Sequence, residues 1–237
     1  MKVFGHRGYS AKYPENTLEA FKAAFDVGAD GVELDIRFTK DKHIVILHDE
    51  DLKRLFGIEK KLSEMNFCEV QEITKERRIP RLDEVLDLVP EDRWVIVEMK
   101  EEEPAVHAVY KILSRKMEER TIFSSFNHDL ITRLIREFPQ LNFAYLLGEE
   151  HKEIDVNSLI ELFMLHKPHS VHIPLDAFKI FGKKVVEFAG FLRGSGIEIF
   201  IWNINDPEDL NITGGEVDAV ITDEVEKFLE WRERSGR

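Results

Sequence analysis

The chain holds a single cysteine, Cys68, so no disulfide forms within it and cysteine usage leaves the redox compartment open. Long apolar runs are missing as well: none approaches the ~20 residues that a bilayer-spanning helix needs. A secretory leader requires a basic start, an uninterrupted apolar stretch and a small-residue cleavage site, whereas Met1-Lys2 passes straight into a strand-like run and then His6-Arg7. The expectation is a soluble, cytoplasmic protein. Positive charge is scarce: 33 Lys and Arg face 46 Asp and Glu, for a formal net charge of −13, and no basic cluster with interleaved aromatics occurs. This argues against a nucleic-acid partner, because binding a phosphate backbone needs a basic surface. Glutamine is confined to Gln71 and Gln140 while charged residues reach 33%, above the ~25% common in soluble domains, a balance that suits a heat-adapted organism. No linker, low-complexity tract or composition shift divides the 237 residues, and a 43% hydrophobic content gives one domain with a full core.

Strand-like runs alternate with helical patterns from end to end. Strands are expected from Val3, Val32, Trp94, Thr121, Asn142, Ser170, Glu198 and Val217, with helical spacing between most of them. Asn16 or Thr17 is placed to cap a first helix carrying Leu18, Phe21, Ala24 and Phe25 on one face, and Gly28 to stop it. Ile44 to Leu47 reads as a hairpin-like return of the second strand or as a local extension, and Glu50 to Arg78 is polar and poorly periodic. Apolar strands alternating with helices imply a parallel sheet. Eight such units in one domain of this length imply a closed (β/α)8 TIM barrel, with a short excursion after the second barrel strand. The rival is an open doubly wound sheet, whose first strand should lead into a Gly-rich dinucleotide turn; Gly5-His6-Arg7-Gly8 is no such turn.

The stretch from Gly5 to Asp49 concentrates the chemistry. Side chains two apart on a strand share a face, so Glu33 and Asp35 project together from Gly31-Val-Glu-Leu-Asp-Ile-Arg37 while Val32, Leu34 and Ile36 face the other way. Two carboxylates flanked by buried aliphatics repel each other unless something positive lies between them, and a metal ion answers that need. Val3-Phe4-Gly5-His6-Arg7-Gly8 and Ile44-Val-Ile-Leu-His48-Asp49 each end an apolar run with an imidazole beside a charged residue, where catalytic groups gather in a barrel.

His6-Arg7-Gly8, Pro14-Glu15-Asn16-Thr17, the segment from Gly31 to Asp35 and His48-Asp49, in that order and at those spacings, resemble the glycerophosphodiester phosphodiesterase family. Val97-Glu98-Met99-Lys100 and Trp202 extend the resemblance over nearly the whole chain. From the residues alone, Glu98 and Lys100 share one strand face, so Glu98 can add a third carboxylate and Lys100 a fixed positive charge beside it. Oxygen donors with no cysteine nearby favour a hard cation, Mg²⁺ or Ca²⁺, over zinc. The resemblance implies the same ligands, Glu33, Asp35 and Glu98, with Arg7 and Lys100 against the phosphate and Trp202 against the glycerol. It also implies His6 and His48 as the acid and base pair, in an order left open, with Asp49 placed to orient its neighbour. A small excursion leaves the barrel in that family, and Glu50 to Arg78 is a short version of it.

The resulting expectation is metal-dependent hydrolysis of a small-molecule glycerophosphodiester to sn-glycerol 3-phosphate and an alcohol. The preferred alcohol, the choice between Mg²⁺ and Ca²⁺, attack by water or by the glycerol hydroxyl, and the oligomeric state stay open. A lysophospholipase D or phospholipase C-like activity on an acylated substrate would call for an apolar lip, for which Glu50 to Arg78 offers Leu55, Phe56, Met65 and Phe67. A non-catalytic barrel binding polyol phosphates would be expected to lack a catalytic group, and none is lacking. His166, His169 and His172 superficially suggest a metal tract, but residues three apart on a strand face opposite sides; surface and packing roles fit better, with His172 a possible lining residue. Gly194-Ser-Gly196 reads as a helix end rather than a phosphate loop, and Thr222-Asp223 as the close of the last strand.

Overall fold

The computed structural model describes residues 1–215 and 217–236. Among them, eight parallel strands close into a barrel: β1 (Lys2–His6), β2 (Gly31–Phe38), β3 (Trp94–Met99), β4 (Thr121–Ser125), β5 (Asn142–Leu146), β6 (Ser170–Pro174), β7 (Glu198–Trp202) and β8 (Ala219–Thr222). Each pairs with the next, and β1 closes the ring by pairing with both β2 and β8, in a register that sets His6 beside Glu33 and Gly5 beside Thr222. The expected eight-strand barrel is the fold observed.

Alternation along each strand sorts the side chains into two cores. Val32, Leu34, Ile36, Val95 and Val97 join the core between strands and helices, whereas Phe4, Ile96, Ile122, Ala144, Phe200 and Ala219 fill the barrel interior. Gly31 makes room inside: a Cβ there would lie 2.5 Å from the Phe4 ring. His172 also belongs to the interior, fully buried, stacked on Phe200 at 4.8 Å and hydrogen-bonded to Ser170. Burial pushes its pKa down to about 3, so the imidazole sits there neutral. Its role is packing, below the mouth.

The structure decides two points that the sequence left open and adds two that it did not show, each for a local reason. Thr17 caps the helix Leu18–Asp26 by accepting from the Ala20 amide, which frees Asn16 for another task. Ile44–Ile46 pairs antiparallel with β2, so the hairpin return is the correct alternative. A separate helix, Leu175–Phe181, follows β6 directly from Pro174 and precedes Lys183–Gly194; its seven residues are too few for periodicity to reveal. The left-handed residue after that second helix is Gly196 rather than Gly194.

The excursion between β2 and β3 is ordered around a small core of its own. Asp51–Leu52 and Ile58–Lys61 form a two-stranded ribbon, followed by the helix Phe67–Ile73. Leu55, Phe56 and Phe67 pack against buried Leu52, Leu62, Met65 and Val70. The four residues considered for an acyl-binding lip therefore stabilise the excursion itself. Among the described residues no helix is long and apolar enough to cross a membrane.

Candidate active site

The C-terminal ends of β1, β2 and β3 bring the acids together because the barrel register places Asp35 beside Glu98 and Glu33 beside His6. One carboxylate oxygen from each of Glu33, Asp35 and Glu98 lies within 4.8 Å of the others, and all three residues are buried. Like charges so close and so dry need compensation. Lys100 supplies part of it, 3.0 Å from Asp35 Oδ1 and hydrogen-bonded to Glu98. Arg7 supplies more: its Nε is 3.3 Å from Asp35 Oδ2, and its backbone amide donates to Glu33 Oε2 at 3.1 Å.

The protonation pattern follows from this distribution of charge. Burial alone would raise the pKa of Asp35, but Lys100, Arg7 and the Asn16 amide outweigh it and hold the carboxyl well below the usual range. Glu33 lies well above the ordinary carboxylate range, chiefly from burial and then from Asp35 and Glu98. Burial and Asp35 likewise push Glu98 up to about 7 although Lys100 opposes them. Burial works against the cations too; Asp35 and its acidic neighbours prevail, and both Lys100 and Arg7 are raised. Asp35 is thus firmly ionised, whereas at Glu33 and Glu98 the protein's own cations do not offset burial and the neighbouring acids, and the charged form is disfavoured.

Asn16 completes this corner. Its Nδ2 donates to Asp35 Oδ2 at 2.8 Å, while its buried Oδ1 has no hydrogen-bond partner among the described residues. Arg7 and Asn16 both occupy the left-handed region, at φ 54° and 58°, and the Asn16 amide donates to the Arg7 carbonyl at 2.9 Å. Non-glycine residues rarely adopt this conformation, and the strain is held by the surrounding contacts. Gly8 permits the tight turn between them, since a Cβ there would lie 2.6 Å from the Ala20 carbonyl carbon. Three carboxylates and a free amide oxygen are the donors a hard divalent cation takes.

Both histidines are anchored by a carboxylate at Nδ1. His6 meets Asp223 Oδ1 at 2.7 Å across the closing seam of the barrel, and His48 meets Asp49 Oδ1 at 2.7 Å. Asp223 is held in turn by Ser10 Oγ at 2.7 Å and Asn205 Nδ2 at 2.8 Å, and despite burial its pKa stays well below normal through His6, Ser10 and Asn205. Burial lowers the pKa of His48, with Asp35 opposing the shift. Arg37 Nε donates to the His48 carbonyl at 2.9 Å and fixes its backbone.

Sequence reasoning placed His6, Arg7, Glu33, Asp35, His48, Glu98 and Lys100 in one site, and they meet at one end of the barrel. Trp202 ends β7 at the same end, with its ring 5.6 Å from that of Phe126, over which Lys100 Nζ sits at 5.8 Å. The partner of His6 was missed, although Asp223 directly follows an apolar strand. Glu15 and Arg54 were also missed as a linked pair. Glu15 receives Arg7 at 2.9 Å and Arg54 at 2.6 Å, and Arg54 also binds Asp49, so a relay of charges ties Arg7 to the carboxylate behind His48. Nothing in the local sequence marks Arg54 for this.

Residues 6–227 match the model of the glycerophosphoryl diester phosphodiesterase family. A glycerophosphodiester phosphodiesterase from Caldanaerobacter subterraneus is 29% identical, the match covering 99% of this chain and 98% of that one. The crystal structure of a glycerophosphodiester phosphodiesterase from Thermotoga maritima superposes with a TM-score of 0.88 at 43% identity, covering 97% of each chain. An Oleispira antarctica phosphodiesterase in complex with the product sn-glycerol-3-phosphate shares the fold, with a TM-score of 0.80 at 23% identity over 98% and 97% of the two chains. The family match spans nearly the whole barrel, from the first histidine to the helix that follows Asp223, and the chain belongs to the glycerophosphoryl diester phosphodiesterase family and is a phosphodiesterase.

Proposed function

We propose that the protein hydrolyses glycerophosphodiesters to sn-glycerol 3-phosphate and an alcohol, with a divalent cation held by Glu33, Asp35 and Glu98 and with His6 and His48 as the proton carriers. The observation that carries this reading is the convergence of three buried carboxylates within 4.8 Å beside two histidines whose Nδ1 atoms are already engaged. The hard oxygen donors and the free Asn16 Oδ1 suit Mg²⁺ or Ca²⁺. When bound, the cation supplies positive charge for phosphate oxygens that gain negative charge in the transition state.

Arg7 and Lys100 bind the phosphodiester anion and strengthen their hold as charge builds on its oxygens. With Nδ1 of each imidazole tied to a carboxylate, Nε2 is the atom left for substrate. The lowered pKa of His48 favours the neutral form, so its Nε2 takes the proton of the attacking hydroxyl, from water or from the substrate's own glycerol. His6 Nε2 delivers a proton to the departing alcohol oxygen as the old P–O bond breaks and the new one forms. Trp202 packs against the glycerol.

The test uses chelator-treated protein, glycerophosphocholine, and added Mg²⁺ or Ca²⁺, with released sn-glycerol 3-phosphate as the readout. Release restored by either ion supports the assignment. No release with either ion, while circular dichroism reports an intact fold, overturns it.

A further inference from the structure

The loop after β7 brings a side chain to the back of the His6 anchor that no step of the reaction yet uses. Beyond Trp202, Asn203 takes a left-handed φ of 56°, Ile204 is fully buried, and Asn205 meets the end of β8. The Asn205 amide is engaged at both ends. Its Oδ1 accepts from the Asp223 backbone amide at 2.9 Å and from Thr222 Oγ1 at 3.1 Å. Thr222 Oγ1 accepts in turn from the Glu224 amide at 3.0 Å, which leaves its own proton for Asn205. With the oxygen so fixed, Nδ2 is the end that donates to Asp223 Oδ2, at 2.8 Å.

Asn205 is exposed, so water is available to these groups and burial does not demand the bonds. The loop is also held from outside. Lys227, on the helix Val225–Ser235, reaches the Asn205 carbonyl at 3.4 Å and Asp206 Oδ2 at 3.0 Å. On the other side of the carboxylate, Asp223 Oδ1 serves His6 Nδ1 and Ser10 Oγ, each at 2.7 Å. A carboxyl group turns easily about its Cβ–Cγ bond, because that torsion has broad minima. Contacts on Oδ1 alone would let it swing and carry the His6 ring with it. The bond from Asn205 to the second oxygen removes that freedom.

From this geometry we infer that Asn205 is a positioning residue for the reaction: acting through Asp223, it fixes the direction in which His6 Nε2 points. It also ties the strand end that carries Trp202 to the proton carrier on β1, so the wall of the site and its acid move as one piece. This role rests on the reading of His6 as a proton carrier and deepens it.

The experiment measures steady-state kinetics on glycerophosphocholine, with the metal restored, for Asn205→Ala, Asn205→Asp, Asp223→Asn and the double variant of Asn205→Ala with Asp223→Asn. Asn205→Ala should lower kcat roughly 10- to 30-fold with KM nearly unchanged. Asn205→Asp keeps an acceptor for Thr222 and the Asp223 amide, so the loop stays closed, but it sets a carboxylate against Asp223 Oδ2 with Lys227 as the cation on the loop. Its kcat should fall at least as far as that of Asn205→Ala. The double variant should be no more than about twofold slower than Asp223→Asn alone, because residues that act as a unit are not additive. Three results overturn the inference: a mild Asn205→Asp beside a damaged Asn205→Ala, which marks a loop clamp only; losses that multiply in the double variant; or a loss confined to KM. Circular dichroism checks that each variant keeps the fold. An Asp223→Asn variant with undiminished kcat overturns the His6 assignment, and the role of Asn205 with it.

Discussion

On the β1 to β3 side of the barrel mouth, three carboxylates, a lysine and an arginine are packed out of water within a few ångströms of one another. Across the mouth, between β5 and β7, the wall is largely aliphatic and encloses a cavity instead of a charge cluster. The first side is costly to assemble, since ions stripped of water gain little net stability even when paired, but its pairings fix each group in place. The second side is cheap to assemble and fixes little by itself. One sheet carries both because neighbouring strands in a closed barrel can present different chemistry at their ends without altering the hydrogen-bonded ladder.

The largest effect is expected where the polar side depends on a contact across the barrel seam. In Asp223→Asn, His6 keeps its place but loses the carboxylate that selects its tautomer and fixes its orientation. A fall in kcat of roughly 10²- to 10³-fold is expected, with KM nearly unchanged. Steady-state kinetics on glycerophosphocholine check this, and a loss confined to KM would show that Asp223 serves binding rather than proton transfer.

A second contrast lies beneath the mouth, where the interior admits a polar group but not an ion. His172, buried and neutral with a pKa of about 3, takes up its proton near 6.5 once the chain unfolds. Between those values the unfolded chain binds the extra proton, so stability falls as pH drops from about 6.5 toward 3. Urea denaturation should show His172→Gln sparing roughly 3 kcal/mol of the stability lost between pH 7 and pH 4. If variant and parent lose stability in parallel, the imidazole is charged in the fold after all.

The smallest effect is expected at the edge of the charged side. Arg54 is about half exposed and acts through Glu15 and Asp49. Its replacement by Ala should lower kcat about tenfold or less, because solvent screens exposed pairs. Raising the salt concentration should shrink the difference between parent and variant. A loss as deep as that of Asp223→Asn would place Arg54 in direct contact with substrate.

Much of this arrangement is legible in the sequence because it depends on local rules. Period-two alternation in β2 and β3 puts Glu33 with Asp35 and Glu98 with Lys100 without reference to any other part of the chain. The eight strands stand out as short apolar runs between helical patterns. What escaped depends on closure. His6 and Asp223 are 217 positions apart and meet only because β8 returns to β1. The cavity is assembled from residues of several segments, each of which reads as ordinary core or surface, and one wall is a helix of seven residues that a strand-ending proline conceals. Asn16 was ambiguous for a simpler reason: it and Thr17 are both good capping residues, and only the barrel register shows which of them reaches Asp35.

The seam between the first and last staves joins the two ends of the chain. A chain that has made only its first hundred residues already contains every acid of the cluster, while the imidazole of His6 still lacks the anchor supplied near the other terminus. In the proposed mechanism turnover therefore requires that β8 has docked against β1.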